Sequence, residues 1–337
     1  MKPWGLVVAT ALALPLGGTS IAQQQGDTQA QRAQSQPYNN APVWRDVRSG
    51  KEEYTSIKGR ETGVLIQTYG ETWRQLRNGP ITVYGGWLLV IVFAAIALFY
   101  KLRGRIMLHD KPTGRLIERF TGFERACHWT MAISFSILAI TGLTILFGKH
   151  VLLPVIGYTL FAWLTQLCKH LHNFIGPIFL VSLLVCVVIW IRDNLPALYD
   201  FKWFIKAGGL ISGEHVPSGR FNAGEKVWFW VGALVLGLIV SASGLVLNFP
   251  NFDQVRAVMI EANVVHAIAA IVFMAMSFGH IYLGTIGMEG SYESMRYGYV
   301  DETWAKEHHE HWYNDVKSGK IKAGTAAGAA VAPQAQH

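Results

Sequence analysis

Five apolar segments, each about 20 residues long, leave this chain few ways to fold. They lie at about Ile81–Tyr100, Trp129–Phe147, Leu171–Ile191, Val227–Leu247 and Asn263–Ile286. Roughly 20 apolar residues are what a helix needs to cross a hydrocarbon core. In lipid the backbone must satisfy its own hydrogen bonds, so these segments predict transmembrane helices. Of 337 residues, 51% are hydrophobic and only 15% charged, where a soluble domain carries about 25% charge. Five such runs are hard to reconcile with buried helices of a soluble protein. The expected fold class is an all-α membrane protein, a transmembrane helix bundle.

Basic residues set an expected orientation. The 101–127 loop holds Lys101, Arg103, Arg105, Lys111, Arg115, Arg119 and Arg125. The 192–226 loop holds Arg192, Lys202, Lys206, Arg220 and Lys226, and the loops between are poor in Lys and Arg. The positive-inside bias puts the two rich loops in the cytoplasm, with the amino terminus outside and the carboxyl terminus inside. The net charge of +7 is therefore read as a topology signal, and no nucleic-acid partner is expected. Residues 1–22 resemble a signal peptide: Lys2, a short apolar stretch from Leu6 to Leu16, then Ser20-Ile21-Ala22. An uncleaved anchor is the alternative. A cleaved signal puts the polar 23–80 extension in the periplasm, ahead of the additional 81–100 helix. Residues 319–337, Ala/Gly-rich from 323, are expected to be a disordered tail.

Histidines placed in the apolar segments carry the chemistry. His128, His172, His266 and His280 sit at or near span ends. An ionisable ring at membrane depth is costly and usually has a function. The topology puts His172 and His266 on the external side and His128 and His280 on the cytoplasmic side, which pairs them by depth. His266 and His280 are 14 residues apart. On a helix that is a rise of about 21 Å with the rings about 40° apart around the axis. One span can thus serve both sides of a bundle interior. Two imidazoles on opposite faces suit six-coordinate haem iron in electron transfer. A hydrogen-bonded interface residue is the bland reading for any one of these histidines. Zinc needs its ligands to converge on one point, which the 21 Å rise forbids for all four. Gly142, Gly176, Ala267, Ala269, Ala270 and Gly279 are small enough to admit a flat macrocycle, although small residues also serve plain helix packing. His109, His150 and His215 are read as solvated. His308, His309 and His311 are read as a surface or subunit-contact cluster. Three cysteines, Cys127, Cys168 and Cys186, form no CxxC or CxxCH pattern, so iron–sulfur ligation and covalent haem attachment lack their residues.

The order of motifs resembles a family. Phe123-Glu124-Arg125-Ala126-Cys127-His128-Trp129-Thr130 is similar to the first haem-ligand motif of the cytochrome b556 (gamma) subunit of respiratory formate dehydrogenases, and Leu171-His172-Asn173-Phe174-Ile175-Gly176 to the second ligand segment. Phe221-Asn222-Ala223-Gly224-Glu225-Lys226 resembles the loop before the next span. His266 and Gly279-His280-Ile281-Tyr282 hold the last two ligand positions, and Trp304-Ala305-Lys306-Glu307-His308-His309 continues the likeness. It covers about residues 115–318, in the longer five-span form. The resemblance implies a four-helix di-haem cytochrome b domain holding two b haems, with His172/His266 and His128/His280 as axial ligands to the haem iron. It implies a quinone pocket on the cytoplasmic side at Asn222, Glu225 and His280; a helix cap is the other reading of Asn222. The implied complex is an anaerobic respiratory enzyme of the bacterial inner membrane. A molybdenum or tungsten catalytic subunit oxidises formate. An iron–sulfur subunit passes the electrons on, and a menaquinone or ubiquinone is reduced. Two alternatives stand beside this: the di-haem b subunit of a hydrogenase or other molybdoenzyme, and a membrane anchor without redox function.

Overall fold

The computed structural model describes residues 41–50, 53–54, 64–66, 68–210, 212–250, 252 and 254–327. The expected signal at 1–22 lies outside them. Two compact units divide the chain, Met1–Arg74 and Gln75–His337. The first contains a helix, Ala41–Ser49, and a short antiparallel pair, β1 (Glu53–Tyr54) with β2 (Val64–Ile66).

The second unit is dominated by long helices. We label them α1 (Thr82–Arg103), α2 (Gly122–Val151), α3 (Leu153–Trp190), α4 (Ala223–Asn248) and α5 (Arg256–Gly287). Five helices of the described chain are long and apolar enough to cross a membrane, and these lie within them. α2 and α3 form an antiparallel hairpin with the most extensive helix contact of the unit. α5 packs against both α4 and α1. Close approach is achieved at glycines: a Cβ on Gly85 of α1 would lie 2.5 Å from Ile271 of α5, and one on Gly237 of α4 would lie 2.8 Å from Leu183 of α3.

Helix ends differ from the sequence expectation. α2 begins six residues before His128, at a capping box. The Thr121 side chain accepts from Glu124 N, and Glu124 Oε2 accepts from Thr121 N at 2.8 Å, which satisfies two otherwise orphaned donors. The third span was expected to open at His172, but α3 starts at Leu153, so His172 sits in mid-helix. At 38 residues it would be about 57 Å long, well beyond a core of about 30 Å. The segment ahead of His172, from Leu153, is itself largely apolar, so hydropathy gives no boundary there and the helix starts where its hydrogen bonding does. The break in α3 is at Gly157, with φ of 74°, a backbone state glycine adopts without a Cβ penalty.

One aromatic layer crosses the bundle. Phe135, Phe179 and Phe273 have ring centroids 4.9 to 6.3 Å apart. Phe135 follows His128 by seven residues, Phe179 follows His172 by seven, and Phe273 lies seven from both His266 and His280. Two helical turns, about 10 Å, therefore separate this layer from each histidine level.

Short elements cover the His128/His280 end. β3 (Arg115–Glu118) pairs antiparallel with β4 (Tyr299–Asp301) and β5 (Thr325–Ala327). The tail expected to be disordered from 319 thus continues in order to Ala327, because β3 offers it a free edge; residues 328–337 lie outside the described set. Ile117, Val300, Trp304, Ala305 and Trp312 form a second small core beneath the sheet. Gly298, at φ of 94°, turns the chain into β4, and a Cβ there would lie 2.5 Å from the Phe120 carbonyl oxygen.

Candidate cofactor-binding site

The structure brings the four histidines together in two facing pairs. His172 of α3 and His266 of α5 have ring centroids 6.0 Å apart. His128 of α2 and His280 of α5 have theirs 6.4 Å apart. A metal–imidazole bond is about 2.0–2.1 Å, so two rings on opposite sides of one metal ion would stand about 6.3 Å apart, centre to centre. Both pairs fit that span. Among the described residues no group of three or more His, Cys, Asp or Glu could hold a metal ion, so a tetrahedral zinc set of such residues is not formed.

Proton positions at the first pair follow from chemistry. Thr141 Oγ1 lies 2.7 Å from the Ile137 carbonyl, to which it donates its one hydrogen. It can only accept from His172 Nδ1, 2.8 Å away. His266 Nδ1 lies 3.0 Å from the Val240 carbonyl, which only accepts. Both rings thus carry their proton on Nδ1 and keep the Nε2 lone pair for a metal, as imidazole ligands do. Gly142 and Gly244 back the same rings: a Cβ would lie 3.4 Å from His172 Cε1 and 3.2 Å from His266 Cε1. Gly142 was among the small residues singled out from sequence. Gly176 and Gly279, also singled out, have nothing within 4 Å of an added Cβ, and Ala269 belongs to the core.

Thr141, Ser243 and Gly244 were missed in the sequence, yet a signal was there. Thr141-Gly142-Leu143 in α2 and Ser243-Gly244-Leu245 in α4 repeat one pattern. Each sets a hydroxyl within hydrogen-bond reach of a histidine Nδ1, at 2.8 and 3.2 Å, with a glycine beside it.

The second pair opens on a cavity of about 910 Å³, lined by His128 and His280 among others. His280 stacks on Trp228 of α4, centroids 4.7 Å apart and planes 11° apart. Trp228 begins a stretch of widened π-helical turns, Trp228–Leu236, of the kind frequent at functional sites. His128 Nδ1 is buried and has no hydrogen-bond partner. It thus lacks the acceptor that His172 and His266 Nδ1 have, and the fit at this pair rests on the facing rings and their walls. The aromatic walls Phe135, Phe273 and Trp228 suit a flat apolar macrocycle.

Asn222 and Glu225 line the same cavity. They also form a capping box: Asn222 Oδ1 accepts from Glu225 N at 2.9 Å, and Glu225 Oε2 accepts from Asn222 N at 2.8 Å. Glu225 Oε1 receives Arg119 at 2.9 Å.

Of the three tail histidines expected at the surface, His311 is exposed, His308 is half-buried and His309 is buried. His309 is 1% exposed, and its Nδ1 donates to the Gly219 carbonyl at 2.7 Å. Burial, joined by the Arg119 charge, holds it well below the usual histidine range. Burial likewise pushes His308 down to about 4. His215 pairs with Glu310 at 2.9 Å. Sequence hydrophilicity hid this, because Trp304 supplies the cover, its ring 5.3 Å from that of His308 and 4.9 Å from that of His309. Above pH 6.5 both tail rings are neutral, folded or unfolded. Below it the unfolded chain binds protons that the folded tail refuses, so stability falls as pH drops from 6.5 toward 4, by about 1.4 kcal/mol per pH unit per ring. Hydrogen exchange should show Glu302–Lys317 opening as pH is lowered through that window while the bundle stays protected. Unchanged protection of the tail would contradict the assignment.

Apolar helices enclosing facing histidine pairs define a multi-pass membrane protein of the haem-binding class. Residues 119–298 match the family described as prokaryotic cytochrome b561. The chain belongs to this family, whose members are helical membrane bundles that bind b haem and serve electron transport. It is 29% identical over 220 residues to the nitrate-inducible formate dehydrogenase cytochrome b556(Fdn) subunit of Escherichia coli K12, over 62% of this chain and 95% of that protein. Identity to the formate dehydrogenase cytochrome b556(fdo) subunit of the same strain is 30% over 205 residues, 60% of this chain and 93% of that one. The formate dehydrogenase cytochrome b556 subunit of Haemophilus influenzae is 25% identical over 210 residues, 59% and 82% of the two chains.

Proposed function

We propose that this chain is the membrane cytochrome b subunit of a formate dehydrogenase, anchoring the complex and linking it to a quinone pool. The observation that carries this reading is the two facing histidine pairs at two levels of one bundle; the names of the relatives supply formate. His172 and His266 would hold one b haem, and His128 and His280 the other. When bound, the two groups supply one-electron transfer between the ends of the bundle. Thr141, Ser243 and the Val240 carbonyl orient the first two rings, and Trp228 orients His280. The cavity at the His128/His280 end takes the quinone, with Asn222, Glu225 and His280 in its wall. The basic 101–127 and 192–226 loops put that end in the cytoplasm and the amino terminus in the periplasm, in a bacterial inner membrane. An iron–sulfur subunit delivers electrons at the His172/His266 end, and a molybdenum or tungsten subunit oxidises formate. Electrons moving inward while protons are consumed inside would add to the membrane potential.

The test is the native complex solubilised in detergent. Two b haems per chain, co-purifying catalytic and iron–sulfur subunits, and formate-dependent reduction of menadione are expected. Protein without stoichiometric haem would refute the redox role. Haem-replete complex inert to formate but active with hydrogen would reassign the donor.

A further inference from the structure

The cavity at the His128/His280 end extends to a polar region that the roles above leave unused. Arg103, Arg105, His109, His215, Glu307 and His308 line it. Most of the nearby groups are committed. Glu307 accepts the backbone N–H groups of His109 and Asp110 at 3.0 and 2.8 Å. Glu225 is held by Arg119 and Asn222 N. Arg103 Nε donates to the Leu210 carbonyl at 3.4 Å. His308 differs: its Nε2 is buried without a hydrogen-bond partner, on a ring that lines the cavity. The ring is fixed, packed 5.3 Å from Trp304, and its carbonyl accepts from Ser218 Oγ at 3.0 Å. A buried polar nitrogen left unbonded is expensive, and it is retained where something in the cavity bonds to it.

We propose that His308 hands a proton to the quinone reduced in this cavity and is resupplied through His215. The proposal rests on the quinone reading above. A quinone takes up two electrons and two protons to become a quinol. The electrons come from the donor subunits and the protons from water at the cavity mouth. His308 gives an N–H proton to the reduced quinone oxygen, takes one from the His215 side, and ends unchanged. Imidazole suits the task because its two nitrogens can donate and accept in turn. His215 lines the same cavity and is partly exposed beside Glu310, where water can reach it. Burial keeps His308 neutral at pH 7, and the groups whose charges act on it are Glu307, His215, Arg119 and Glu225, with His309 next in the chain. Negative charge growing on a quinone oxygen raises the proton affinity of the imidazole at the moment of transfer.

The intact purified complex is reduced with stoichiometric dithionite and mixed with menadione, and reoxidation of the b-type absorbance is timed over a range of pH. His308→Gln should slow reoxidation about 10²-fold and flatten its pH dependence, with haem content and the half-saturating menadione concentration unchanged. His215→Gln should slow it less and most at high pH, where free protons are scarce. A wild-type rate and pH profile in whichever of these variants assembles overturns the proposal. Wild-type haem that menadione does not reoxidise overturns the quinone reading itself, so the two failures are distinguishable.

Discussion

His172→Ala and His266→Ala should each halve the haem content and abolish formate-dependent quinone reduction, leaving the spectrum of the His128/His280 site in place. In the proposed arrangement each ring supplies one of the two axial bonds at its level, so removing it leaves that haem with one. The complementary variant, His128→Ala, should spare the His172/His266 site. Thr141→Val sharpens the assignment, since it keeps the volume and removes the acceptor for His172 Nδ1. Loss of such a partner lowers metal-site affinity by about 10- to 100-fold, so this variant should lose haem on dilution where wild type does not. Dithionite-reduced spectra and haem titration read all four. Unchanged b-type absorbance in all three alanine variants would remove the histidines from their assigned role.

Arg119→Met should destabilise the His128/His280 end by about 1–3 kcal/mol, the cost of leaving partners of a buried group unpaired, because Arg119 is buried while Glu225 stays partly open to water. Arg119 is 4% exposed. Its guanidinium donates to the Arg220 carbonyl and to Glu225 Oε1, both at 2.9 Å. It also lies 4.9 Å from the ring centres of Phe120 and Trp304, joining β3, the start of α4 and the tail. Methionine keeps much of the packing and leaves the Glu225 carboxylate without its cation. The double variant Arg119→Met/Glu225→Gln should recover part of the loss, because the uncompensated charge goes with it. Thermal unfolding in detergent measures both. A single variant within about 0.5 kcal/mol of wild type would place Arg119 among ordinary surface residues.

Legibility followed range. Apolar run length announced the spans, because lipid imposes a local requirement on every residue of a crossing helix. The spacing of His266 and His280 announced that one helix could serve two levels, because helical phase is arithmetic on neighbours. The Asn222 cap was legible for the same reason. Helix ends were less so: α3 runs back to Leu153 through a stretch that is itself mostly apolar, so hydropathy could not mark where the helix begins. The tail was misread. His309 looks hydrophilic, and only the fold buries it, with Trp304 packed against its ring and against that of half-buried His308.

By itself the sequence determined that this is a membrane helix bundle with four histidines at two depths, because hydropathy and helical period act over a few turns. Tertiary structure decided which rings face each other and which nitrogen of His172 and His266 is free. It also decided that a cavity joins His280 to His308. Those facts depend on side chains brought together from positions far apart in the chain, where only packing and hydrogen-bond geometry set the distance.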